Sequence, residues 1–333
     1  MSQQVKKERD YLFDNCKVFL IVLVVMGHFF GPSEDVNWFL YLFKWIIVSF
    51  HMPAFIFISG YFSKREVSLK VAIEKLAIPY LVYEVLYYLL YTYVMHKETG
   101  LYLLKPKFTL WYLMVLFFWK IITPYVKKIP GYFWIAIFAG IAIGFSKIES
   151  NFLSIPRALV FYPYFLAGTC MERGQIEKLR TKKVRWIVAS GVMVLTVIVV
   201  LTALQGSLSM KVFYGRYNYE YLKQSPLAGV LWRLAAYVIG GGLTCGMLAF
   251  LPEQKTCYSY IGKRTMAIYL FHGFTYTYLE YCTTILEEIT TIGKTVLLLG
   301  GCVAITMIFS WKPFTHFTNS VGSLLTKKER FRN

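Results

Sequence analysis

The sequence predicts an all-α fold, a polytopic transmembrane helical bundle of about ten spans with both termini cytoplasmic. Three observations predict it. The 333 residues are 57% hydrophobic and only 16% charged, too little charge to cover a soluble surface of that size. Apolar runs suited to crossing about 30 Å of hydrocarbon recur along the chain. Lys and Arg concentrate in alternate connecting segments, the positive-inside pattern.

The runs fall at 12–30, 38–62, 77–95, 109–123, 130–146, 156–171, 185–205, 226–250, 266–283 and 294–311. Helix is required of each, because a backbone in lipid must satisfy its own polar groups. The first run follows KKERD and ends in GHFFGPSED, with no small-residue cleavage site, so it reads as a retained helix. With the N-terminus inside, the inside segments carry Lys6, Lys7 and Arg9, then Lys64, Arg65, Lys70 and Lys75, then Lys127 and Lys128. They continue with the cluster Arg173 to Arg185, with Lys255, Lys263 and Arg264, and with the tail from Lys312 to Arg332. The outside segments hold far fewer cations, and an even number of spans follows.

Residues 1–333 read as a single transmembrane domain, with 312–333 a cytoplasmic basic tail that begins as a short helix. No internal repeat, linker or low-complexity stretch divides it. The longest outside loop, QGSLSMKVFYGRYNYEYLKQSP, is rich in tyrosine. Such rings suit the membrane interface, and they also suit stacking on sugar faces.

The formal net charge is +18. Its position in short loops between apolar runs assigns it to topology. No zinc finger, aromatic RNA-binding signature or continuous basic face points to nucleic acid, so no nucleic-acid partner is expected. The six cysteines, Cys16, Cys170, Cys245, Cys257, Cys282 and Cys302, form no CxxC pair. They read as small buried hydrophobes, and no metal is expected.

The chemistry is carried by charged groups inside apolar runs. A histidine in the hydrocarbon layer is expensive and is a functional hypothesis by default. His28 ends the first run and His51 stands thirteen residues into the second. Lys17 precedes His28 by eleven positions, about 16 Å along a helix. His28 therefore falls in the outer half of the membrane, and His51 near mid-depth on an adjacent helix. Imidazole is the usual general base near neutral pH. Ser59 and Gly60 suit close helix approach or a cofactor path. Lys64, Arg65, Lys70 and Lys75 in the loop that follows either signal topology alone or form a cationic mouth suited to a phosphorylated cofactor. Glu84, Arg157, Arg233, His272 and Glu280 also lie in or beside spans; Arg233 and Glu84 are expected to pair with each other or with backbone carbonyls.

These residues, in this order, resemble the acyltransferase-3 family of integral membrane O-acyltransferases, and within it the fucose 4-O-acetylase-like branch. The spacing of Lys17 and His28 resembles the basic residue, ten residues, then histidine of the family's first helix. FHMPAFIFISGYF resembles its second helix. LWYLMVLFFW, from Leu110, resembles its tryptophan-bearing span, and SIPRALVFYPYFLAG and YIGKRTMAIYLFHGF resemble later helices. The family's loop before IPY carries two basic residues three apart. Lys75 stands at the second position, but Ala72 stands at the first.

The resemblance implies transfer of an acyl group, usually acetyl from acetyl-CoA, to a sugar hydroxyl of a cell-surface or lipid-linked glycan. His28, Lys17 and His51 are then the expected catalytic residues. Lys64, Arg65, Lys75 and Ser59 are the expected cofactor contacts, and Arg157, Trp111 and His272 the expected substrate contacts. The expected partners are acyl-CoA, a glycan or lipid-linked saccharide acceptor and membrane lipid, in a bacterial plasma membrane. The competing expectation from another class is a transporter or flippase of glycan intermediates, which the charged spans also suit. Transporters often carry internal repeats, and this sequence has none visible.

Overall fold

The computed structural model describes residues 9–323, and among them every regular element is helical. Lys6, Lys7 and the part of the expected basic tail from 324 onward lie outside the described residues.

Helix α1 (Tyr11–Phe29) starts where the Asp10 carboxylate accepts the Leu12 N–H at 3.1 Å. Helix α2 (Trp38–Tyr61) starts at Asn37, which caps the Leu40 N–H at 3.2 Å. The Asn37 amide also donates to the Ile289 carbonyl at 3.0 Å and to Thr295 at 2.8 Å, tying α2 to the start of a later helix. Next come α3 (Leu69–Ala72), a π-helical turn (Ile73–Ala77), α4 (Ile78–Leu89) and a second π turn (Leu90–Val94), end to end. The third helical segment thus starts at Leu69, not near residue 77. Ser68 caps it and LKVAIEKLA continues it without a breaker, so Lys70 and Lys75 stand on helical turns rather than in a loop.

The remaining helices are α5 (Trp111–Val126), α6 (Tyr132–Ala142), α7 (Ile155–Cys170), α8 (Arg173–Arg180), α9 (Lys182–Gln205), α10 (Pro226–Phe250), α11 (Thr265–Cys282), α12 (Ile292–Phe309) and α13 (Lys312–Gly322). A helix covers each predicted run, and α8 is an addition. Five of them, α1, α2, α9, α10 and α12, are each long and apolar enough to cross a membrane. Much of α9 and α12 faces outward with its apolar side chains exposed, as a lipid-facing surface requires. The protein is a multi-pass membrane protein.

The densest contact joins α2 and α7. Gly60 meets the Phe165 carbonyl and Gly168 meets the Phe57 carbonyl, each nearer than a Cβ would allow. Small residues let the two backbones touch, which is how helices gain packing energy in lipid. At one end of the bundle the backbone of Asp14 lies against Gly262, just before α11. Arg264 at the start of α11 donates to the Ser310 carbonyl at the end of α12 at 2.8 Å. Asn15 donates to the carbonyls of Pro252 and Gln254 and accepts from Thr256 and Ser259. The first turn of α1, the start of α11 and the end of α12 therefore share one face of the bundle.

Among the described residues all cysteines are free. Cys16 and Cys302 are buried as expected, but Cys170, Cys257 and Cys282 are exposed because they stand at helix ends and in connections.

Candidate active site

At the other end of the bundle lies a cavity of about 570 Å³, within the range of small-molecule sites. Its walls come from the last turns of α1, the first half of α2, the segment before α5, the start of α7, the tyrosine-rich loop and the middle of α11.

His28 lines this cavity and hydrogen-bonds to no described residue. Its ring lies 4.6 Å from that of Phe108, 5.5 Å from His272 and 5.6 Å from Tyr276, centroid to centroid. His51 lines the same cavity from α2. The Nδ1 of His51 lies 2.7 Å from the Ile47 carbonyl, and the Nδ1 of His272 lies 3.0 Å from the Ile268 carbonyl. A carbonyl only accepts, so each Nδ1 carries the proton and each neutral ring keeps a basic Nε2. The Nε2 of His272 is buried behind His28 and has no hydrogen-bond partner among the described residues.

Arg157, three residues after the left-handed Ser154, enters the cavity at the start of α7. Its guanidinium sits 4.8 Å from the Trp111 ring centroid, a cation–π contact. Phe108, Leu153 and Ser154 all adopt positive φ, near 47–50°. Non-glycine residues pay strain there, and such strain gathers at functional sites. Here it holds Phe108 over His28 and sets the entry of α7. Burial raises the Tyr214 hydroxyl above its ordinary range, so it stays a neutral donor at the cavity wall.

Of the residues singled out in the sequence, His28, His51, Arg157 and Trp111 thus share one cavity, with His272 packed behind His28. Lys17 does not join them. It pairs with Asp14 at 3.1 Å and lies 5.3 Å from the Phe62 ring centroid, at the far end of α1. Ser59 hydrogen-bonds to the Tyr112 hydroxyl and to the Phe55 carbonyl, outside the cavity lining. Lys64 donates to the Met171 carbonyl and lies over Tyr61, while Arg65 is exposed. Lys75 is within electrostatic reach of Lys120, whose ammonium donates to Ser63 at 2.8 Å. These four cations gather at the end of the bundle away from the histidines.

Several cavity residues were not singled out. Lys44 lies within the run WFLYLFKWIIV and pairs with Glu34; a lysine in an apolar run was the available signal. Lys107, Arg216, Tyr214 and Tyr217 come from connections, where periodicity says nothing. The tyrosine-rich loop therefore contributes to the cavity wall. Glu84 pairs with Lys107 at 3.3 Å rather than with Arg233, which donates to the Tyr217 carbonyl at 3.4 Å.

A family model described as an acyltransferase domain matches residues 10–311, from the cap of α1 to the end of α12. No match was found among curated proteins or among solved structures. The match spans every element that builds the cavity, and the chain belongs to the acyltransferase-3 family.

Proposed function

We propose that this protein moves an acetyl group from cytoplasmic acetyl-CoA to a sugar hydroxyl of a cell-surface or lipid-linked glycan, with His28 as the base. The observation that carries the reading is His28 itself: an imidazole with no hydrogen-bond partner among the described residues, facing a saccharide-sized cavity beside His51 and Arg157.

A ring nitrogen of His28 takes the acceptor hydroxyl proton as the oxygen attacks the thioester carbon. The tetrahedral oxyanion is held by Arg157, a permanent donor. Neutral His51 has committed its Nδ1–H to Ile47 and offers only an acceptor, so it orients a sugar hydroxyl rather than the oxyanion. The C–S bond then breaks, and the imidazolium returns its proton to the CoA thiolate. His272 buttresses the His28 ring. The donor phosphates are taken by the cationic end formed by Lys64, Arg65, Lys75 and Lys120. Lys17, paired with Asp14, supplies a fixed cation along the donor path. The acceptor enters from the outer face, and the membrane is a bacterial plasma membrane.

The test uses purified protein in nanodiscs, acetyl-CoA labelled in the acetyl group and a saccharide fraction from the host envelope. CoA thiol release matched by alkali-labile label on saccharide supports the reading. Saccharide movement across proteoliposomes without CoA thiol release overturns it in favour of a transporter.

A further inference from the structure

Five cations line the cavity, and among its described lining residues there is no Asp or Glu. Three of the five are neutralised from behind: Lys44 by Glu34, Lys105 by Glu149 at 2.8 Å and Lys107 by Glu84 at 3.3 Å. The other two, Arg157 and Arg216, have no carboxylate partner among the described residues. Arg157 rests on Trp111 and is within electrostatic reach of Arg216. The Nε–H of Arg216 donates to the Ser150 hydroxyl at 3.1 Å, and its guanidinium carbon lies 5.3 Å from the Tyr217 ring centroid. That contact uses one of the five donors of a guanidinium.

Two guanidinium groups that line one partly enclosed space within electrostatic reach of each other, without a carboxylate among the described residues, repel each other. A neutral ligand would strip water from them and give no charge in return. An anion at Arg216 would ease the repulsion and accept in the planar, two-pronged geometry that guanidinium favours. Tyr102, Tyr214 and Tyr217 supply flat rings beside this charge. Flat aromatic walls next to an unpaired guanidinium fit a sugar ring that itself carries a negative group.

We propose that the acceptor is an acidic saccharide, its phosphate or carboxylate held by Arg216 at the cavity wall while its neutral hydroxyl faces His28. This rests on the cavity being the acceptor site of the proposed reaction. Arg157 keeps its place over the reacting carbon, and Arg216 selects the acceptor.

The experiment measures binding without any acyl donor, by calorimetry on the full chain in nanodiscs. The probes are methyl glucoside, glucose 1-phosphate and glucuronic acid. The acidic probes are expected to bind about tenfold or more tighter than the neutral one, since a hydrogen bond to a charged group is stronger than one between neutral groups. Added salt should weaken only the acidic probes. The phosphate and carboxylate arms show which acid the site takes. Arg216→Gln should bring the acidic probes to the level of the neutral one, and Arg216→Lys should keep an intermediate preference in a folded protein.

Equal binding of all three probes, binding of none, or an unchanged preference in Arg216→Gln overturns the proposal. Arg216-dependent binding of CoA without saccharide preference also overturns it, by assigning the cavity to the donor. If acetyl transfer fails while the acidic preference stands, only the reaction falls; the reverse result removes only the acidic acceptor.

Discussion

Glu84→Leu should be among the most destabilising single changes in this protein, and the pair Glu84→Leu/Lys107→Met should repair most of the damage. Glu84 is fully buried and Lys107 is 9% exposed. Glu84 accepts the Lys107 N–H at 3.0 Å and its ammonium at 3.3 Å, and that ammonium also donates to the Gly100 carbonyl at 2.8 Å. Removing the carboxylate leaves a buried ammonium with one carbonyl for company. Breaking one side of a buried pair costs about 3–5 kcal/mol, whereas replacing the whole pair by apolar groups is often close to neutral. Thermal unfolding in detergent should show a Tm drop on the order of 10 °C for the single change. The double change should recover more than half of it. Because Lys107 precedes Phe108, which lies over His28, the single change should also slow catalysis. A Tm equal to the parent in Glu84→Leu, or a double variant no better than the single, would refute the reasoning.

Lys17→Arg should keep activity and Lys17→Gln should lose it, because Arg can still pair with Asp14 and amide cannot; a working Gln variant would mean that charge is not required. Gly168→Ala should destabilise the protein by about 1–3 kcal/mol, since its Cβ would meet the Phe57 carbonyl, and unaltered thermal unfolding would contradict so tight a crossing. Charge reversal at Lys64, Arg65 and Lys75 together should raise the KM for acetyl-CoA severalfold and flatten its salt dependence, with cysteine labelling to verify that this segment stays inside. An unchanged KM in a correctly oriented variant would remove these residues from the donor site.

The helices were legible because lipid enforces helix wherever an apolar run is long enough, and the chain repeats such runs. Their starts were less so. The third helical segment begins at Leu69 because Ser68 caps it, although its first turns are too polar to read as a span. His28, His51, Arg157 and Trp111 could be picked out as costly or motif-bearing residues in apolar surroundings, and they share one cavity. Lys17 and His28 lie about 16 Å apart along α1, as their spacing in the sequence predicts. Eleven residues on one helix separate them, and Asp14, three positions away, takes the lysine. Lys107 and Arg216 were unreadable for another reason. They reach the cavity from connections whose paths are set by tertiary contacts, here Glu84 for one and Ser150 for the other.

The central claim is that His28 is the base of an acyl transfer, and His28→Asn tests it most directly. Asparagine keeps a polar group of similar reach but cannot take the proton. The measurement is the single-turnover rate of labelled acetyl transfer from acetyl-CoA to the saccharide acceptor, with donor and acceptor saturating and with Tm recorded on the same sample. The account predicts a rate lower by about 10²–10⁴-fold with Tm close to the parent. A variant that keeps more than half of the parental rate would contradict it.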